Sequence, residues 1–364
     1  MPKEKMRLSA TVKCAAIGFL ILCCIIFMVF LGAAKEGPKT WTVMAGGEAG
    51  IEPQENGSAG AWQFMRFYPE NITINPGDTI VWKLNSAEPH TVTFPGPGEK
   101  PPELIVPEGN GSQRLIFNPL AVMVQGGQVF NGTRLTGSGQ MGQEPQFPKE
   151  YNLTFAGPGS FDYFCAFHIM MKGAVVVQPV GTPYPKTQQE IDLEAAEQLA
   201  KDKEAALSAV PEASNVTVRM GSNGTMVHEV NMGYGDGYIS WMRFIPTNLI
   251  IYAGDSVEWM QKDADTPHTV TFVSGGEEPE MVLVEPQEFG PPKLVLNPLV
   301  LLPAGGNTYD GQGYCNSGFI WGTKDPLPGP RNYSLVFSKP GSYSYLCVLH
   351  DTMGMRGQIT VLRK

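Results

Sequence analysis

Tyr151 to Val177 reads YNLTFAGPGSFDYFCAFHIMMKGAVVV, and Tyr333 to Val361 reads YSLVFSKPGSYSYLCVLHDTMGMRGQITV. Each stretch opens on alternating apolar and polar residues, turns at a Pro-Gly pair and resumes as an aromatic run that ends on a cysteine. A Val- or Ile-rich run closes it. Period-two alternation places successive side chains on opposite faces of a strand, and Pro-Gly marks a turn. Both stretches therefore read as two strands joined by a turn, then a loop, then a third strand. Cys, His and Met gather in the loop.

The likeness extends outward in both directions. MRFYPENITINPGDTIVW (Met65 to Trp82) returns as MRFIPTNLIIYAGDSVEW (Met242 to Trp259), and AEPHTVTF (Ala87 to Phe94) returns as DTPHTVTF (Asp265 to Phe272). LIFNPL (Leu115 to Leu120) returns as LVLNPL (Leu294 to Leu299). The offsets run from 177 to 182 residues and keep their order, so the chain is a duplication of a whole domain rather than a solenoid. Short alternating runs bounded by Gly and Pro predict an all-β fold of two tandem Greek-key β-sandwiches, residues 39–180 and 214–364. Residues 181–213 form the connector. Within it QQEIDLEAAEQLAKDKEAALSA (Gln188 to Ala209) predicts a helix, with Ile191, Ala195, Leu199 and Ala206 at helical spacing.

Bulk properties narrow the function. The 364 residues carry a net charge of −9, which leaves no electrostatic footprint for nucleic acid. A basic segment, residues 1–13, precedes an uncharged run from Cys14 to Ala34. That length matches the ~20 residues needed to cross a bilayer, and the basic flank puts residues 1–13 on the cytoplasmic side. The expectation is a transmembrane signal anchor at 14–34, with both sandwiches outside the cell membrane. A cleaved signal peptide competes with this, and its product would be secreted or periplasmic. Glycosylation sequons at Asn56, Asn71, Asn110, Asn131, Asn152, Asn215, Asn223 and Asn332 accord with export. Outside the apolar run only Cys165, Cys315 and Cys347 remain, scattered singly, which is no disulfide framework.

Those cysteines have a different use. FCAFHIMM supplies Cys165, His168 and Met171, and LCVLHDTMGM supplies Cys347, His350 and Met355. A further histidine in matching context, His90 or His268, completes each set. Two imidazoles, one thiolate and a weak thioether suit a blue-copper electron-transfer site better than structural zinc. Both halves resemble the cupredoxins, the plastocyanin and amicyanin group. "GD…PH" is similar to that family's first ligand segment, and C-x-x-H, a methionine and a Val/Ile strand to its ligand loop. The resemblance implies His90, Cys165, His168 and Met171 as one copper site, and His268, Cys347, His350 and Met355 as the other. It also implies that the outer ligands, His168 and His350, expose their edges within apolar patches where donor and acceptor redox proteins dock. Phe167, Ile169, Val348 and Leu349 are placed to build those patches.

Other readings are weighed on residue counts. Copper oxidases and nitrite reductases need extra histidines, and this chain has five, of which only His228 is unassigned. It reads as a surface residue, Met170 and Met353 as loop-surface residues, and Tyr163, Phe164 and Tyr345 as core aromatics. Cys315, aligned with Thr136, reads as buried and free. Two inserted segments, Ala121 to Gln140 and Val300 to Phe319, would either lid the copper or form a docking face. The prediction is a non-enzymatic electron carrier with two type 1 coppers, the alternative being a copper-binding or delivery protein.

Overall fold

The alternation read in the sequence becomes strands with one buried face. The computed structural model describes residues 37–50, 62–109, 112–221 and 224–364. Along Thr79–Leu84, Ile80 and Trp82 are buried while Thr79 and Val81 are half-buried. Ser256–Gln261 buries Val257 and Trp259 in the same way. The two halves share this register with their neighbours, Trp82 opposite Tyr151 and Trp259 opposite Tyr333. Each tryptophan also meets a second aromatic edge-on across the sandwich, Tyr163 or Tyr345, at 5.4 Å between centroids. Tyr163 and Tyr345 are therefore core residues, as expected, while Phe164 is half-buried.

In the first half Trp62–Tyr68, Thr40–Ala49, Thr79–Leu84, Glu150–Phe155 and Val129–Phe130 line up as one sheet. Asn71–Ile74, Lys172–Val177, Gly159–Phe164, Thr93–Phe94 and Thr136–Gly137 form the facing sheet. The second half repeats the plan. Val218–Met220, Met226–Met232, Ser256–Gln261, Asn332–Phe337 and Thr308–Tyr309 oppose Asn248–Tyr252, Arg356–Leu362, Gly341–Leu346, Thr271–Phe272 and Cys315–Asn316. Each half has a core of its own between the sheets. Burying a single Phe of such a core contributes about 1.5–3 kcal/mol.

Thr40–Lys364 is one unit, and three features join its halves. The strand Ile239–Trp241 of the second half pairs antiparallel with Trp62–Tyr68 of the first, and Trp62 stacks on Trp241 at 5.2 Å. The helix Gln188–Ala213 starts at a capping box between Thr187 and Glu190 and lays Ala195, Leu199 and Ala206 against this junction, with Ile191 in the first core. It runs four residues beyond the expected Ala209, through Pro211, and Asn231 Nδ2 donates to its terminal Ala213 carbonyl at 2.9 Å. Asp202 sits on the same buried face, where it accepts from the Tyr68 hydroxyl at 2.5 Å and pairs with Arg66 Nε at 3.2 Å.

The third feature is a sheet shared by both halves, in the order Val282–Glu285, Lys293–Leu296, Leu115–Phe117, Ile105–Pro107, with Val295 opposite Ile116. The repeated LIFNPL and LVLNPL motifs meet there. In each, an asparagine, Asn118 or Asn297, then caps a one-turn helix by accepting from the amide two residues on. Residues 14–34 lie outside the described residues. Among the described residues no helix is long and apolar enough to cross a membrane.

Candidate metal centres

The antiparallel pair Gly159–Phe164 and Lys172–Val177 puts Cys165 at the mouth of a closed loop. Cys165 N–H donates to the Met171 carbonyl at 2.9 Å, and Met171 N–H to the His168 carbonyl at 3.0 Å. In the second half Cys347 N–H donates to the Met355 carbonyl at 3.0 Å. The loop there is two residues longer, and a 3-10 turn, Asp351–Met353, absorbs the surplus, ending at Gly354 with φ 81°. Met171 and Met355 are buried at the ends of these loops.

The upstream histidine is held independently. His90 exchanges two backbone hydrogen bonds with Met141, and His268 does so with Ile320. Both partners come after the inserted segments or at their end, so the insertions help fix the first ligand.

These supports bring together the atoms that the sequence picked out. In the first half His90 Nδ1 lies 3.2 Å from His168 Nδ1 and 3.8 Å from Cys165 Sγ, and His168 Nδ1 lies 3.5 Å from that sulfur. The second half gives 3.1 Å between His268 and His350, with 3.8 Å and 3.4 Å to Cys347 Sγ. In either triangle a point equidistant from the three atoms lies about 2 Å from each, a coordination-bond length for nitrogen and sulfur donors. One shared cation at that point would take a lone pair from all three atoms at once. The donor set is that of a type 1 copper, and two such sites, one per half, fit the chain.

The surroundings tune the donors. Burial holds His90 and His268 well below the ordinary histidine range, so both are neutral and free to ligate. Burial acts in the same direction on His168 and His350, but the neighbouring cysteine sulfur and Glu88 outweigh it and raise both. Burial also opposes ionisation of Cys347, and the His350 charge overcomes it, so that thiol is lowered. Backbone N–H groups of Thr91 and Thr269 donate to the two sulfurs at 3.4 and 3.3 Å.

The expected exposure of the outer ligands is corrected. His168 and His350 are each only 4% exposed, because the two halves cover one another's ligand loops. Phe167, Val348 and Leu349 pack into a cluster with Ala121, Val122, Val300 and Phe319, so the insertions act as a lid over them. Of the four patch residues only Ile169 stays exposed, at 54%. Met353 is not a surface residue either, since it packs on the core of the first half, and Met170 is half-buried. His228 is half-buried, with Nε2 3.5 Å from Asp255. Cys315 is buried and free, on a strand that pairs with Phe272 as Thr136 pairs with Phe94.

Sequence reasoning missed one residue of the centres. Glu88, two positions before His90, is 4% exposed. Its Oε2 lies 3.6 Å from His168 Nε2 and its Oε1 lies 3.5 Å from His350 Nε2. The signal available was an asymmetry between Ala-Glu-Pro-His and Asp-Thr-Pro-His, where the repeat has Thr266.

Comparison with known proteins bears on the same segments. A family model described as copper binding proteins, plastocyanin/azurin family, matches residues 55–178 and 228–362. Amicyanin of Paracoccus versutus is 25% identical over 114 residues, which cover 31% of this chain and 59% of amicyanin. The chloroplastic plastocyanin major isoform of Arabidopsis thaliana is 26% identical over 155 residues, 43% of this chain and 70% of that protein. The solved structure of oxidized plastocyanin from Dryopteris crassirhizoma shares 18% identity, covers 37% of this chain and 99% of its own, and has a TM-score of 0.23.

Proposed function

Because this chain belongs to the plastocyanin/azurin family of copper-binding proteins, we propose that it is a carrier of single electrons with two type 1 copper sites. One observation carries this reading: the same buried triangle of two imidazole nitrogens and one sulfur is built twice, on rigid strand ends. Copper, when bound, supplies a one-electron Cu(I)/Cu(II) couple. Cys165 and Cys347 provide the thiolates, and His90 and His268 the inner imidazoles. His168 and His350 would provide the outer imidazoles, and Met171 and Met355 the weak thioethers. Strand-anchored loops restrict how far these donors move, and small rearrangement favours rapid electron exchange.

Residue chemistry favours the carrier reading over a catalytic copper centre. Four of the five histidines are used at the two centres, and His228 is paired with Asp255. Donor and acceptor proteins must exchange electrons by a route other than the ring edges of His168 and His350, which are covered. The reading also places residues 39–180 and 214–364 outside a membrane, held by a span at 14–34. The uncharged run Cys14 to Ala34 supports this, as do the exposed sequon residues Asn71, Asn131, Asn152, Asn215 and Asn332.

A spectroscopic redox titration of the copper-loaded protein tests the proposal. A carrier shows intense thiolate-to-copper absorption that bleaches and returns reversibly, with the metal retained against a Cu(I) chelator. Colourless protein that surrenders copper to the chelator would establish delivery instead.

A further inference from the structure

Metal-ligating histidines ordinarily donate their second ring N–H to a carboxylate, a backbone carbonyl or water. Here one carboxylate faces the ligand histidines of two different sites. Glu88 reaches His168 at 3.6 Å with one oxygen and His350 at 3.5 Å with the other. It lies in the same loop as His90, and that loop is fastened. Ser86 Oγ donates to the Glu88 carbonyl at 3.2 Å and lies 2.9 Å from His90 Nε2, and Gln63 Oε1 accepts from the Glu88 amide at 3.4 Å.

In the matching loop of the second half Asp265 is buried too, at the position that aligns with Ala87. Burying a carboxylate is costly unless opposite charge or polar groups compensate it, and the imidazoles of His168 and His350 are the groups that face Glu88.

We propose that Glu88 joins the two copper sites into a single coupled unit, biasing both toward Cu(II) and linking them by the path His168–Glu88–His350. In one exchange along that path Cu(I) at one site is oxidised and Cu(II) at the other reduced. No bond is made or broken and no proton is moved. A partner protein then needs access to only one of the two centres. Glu88 acts through the histidines and is a positioning residue. The proposal rests on the copper reading above.

The test is a spectroelectrochemical titration of the copper-loaded full chain, in the wild type and in Glu88→Gln, which keeps the shape and one acceptor oxygen but removes the charge. Both sites should shift toward Cu(I) in the variant, each by about tenfold in its equilibrium, or about 59 mV for a one-electron couple. A shift at one site alone, or at neither, overturns the proposal. A second measurement leaves Glu88 intact. Wild-type titration is compared with the sum of the Cys165→Ser and Cys347→Ser titrations, each of which retains one copper. Coupled sites displace the wild-type curve from that sum by threefold or more in at least one step, and superposition overturns the proposal. Blue but independent sites therefore defeat the coupling alone, whereas a wild-type chain without thiolate-to-copper bands defeats the copper reading along with it.

Discussion

Gly233→Ala should unseat His268 while leaving the other centre intact. Gly233 has φ +61°, and a Cβ built there would lie 2.3 Å from His268 Nε2 and 3.1 Å from its Cδ2. Ordinary contact begins near 3.4 Å, so the ring must retreat by about 1 Å, several times the ~0.2 Å latitude of a metal–ligand bond. The retreat opens the 3.1 Å and 3.8 Å edges that His268 Nδ1 makes with His350 and Cys347. Left-handed backbone adds about 1–2 kcal/mol against alanine. The assay is copper bound per chain after desalting, with the visible spectrum recorded alongside. One equivalent and a diminished blue absorption are expected in place of two. Gly46→Ala should do the same to His90, whose Nε2 lies 2.3 Å from the corresponding Cβ. Full copper content with an unchanged spectrum in either variant would refute the claim that backbone contact seats the inner imidazole.

Asp202→Ala removes the buried acceptor of Tyr68 and Arg66 beneath the connecting helix, and should destabilise the chain by about 1–3 kcal/mol in urea with copper content unchanged. A loss below 0.5 kcal/mol (roughly the scatter of surface substitutions) would show that the helix is docked by its apolar face alone. Glu278 answers to pH: burial, then the charge of Asp351, push its carboxyl up to about 7. Folded chain thus holds a proton that unfolded chain releases near 4.5, and wild-type stability falls as pH rises through that interval. Glu278→Gln should therefore gain on the wild type from pH 4.5 to 7, by about 1 kcal/mol at most because the site is partly solvated. Urea midpoints at pH 4 and pH 8 that differ equally between the two proteins would contradict this.

The parts of the structure legible in the sequence were those set by local pattern. Alternation fixed which face of Thr79–Leu84 is buried, helical spacing placed Ala206 and Leu199 against the sandwich, and Cys-x-x-His with a nearby methionine located both ligand loops. Contacts between the halves were not legible. The exposed-edge expectation for His168 and His350 came from resemblance to single-sandwich proteins, in which no second half covers the loop. LIFNPL and LVLNPL repeat faithfully, yet nothing in either copy says that Ile116 and Val295 face each other. Glu88 looks like an ordinary surface acid beside a proline. Only the fold brings it against His350, 262 positions along the chain.

The most direct test counts copper against cysteine. Full-length protein loaded with copper and desalted should hold two equivalents with intense thiolate-to-copper absorption. Cys165→Ser and Cys347→Ser should each keep one coloured equivalent, and the double substitution should keep none. A wild-type chain that holds fewer than two, or colour that survives the double substitution, would contradict the assignment of one type 1 copper to each half.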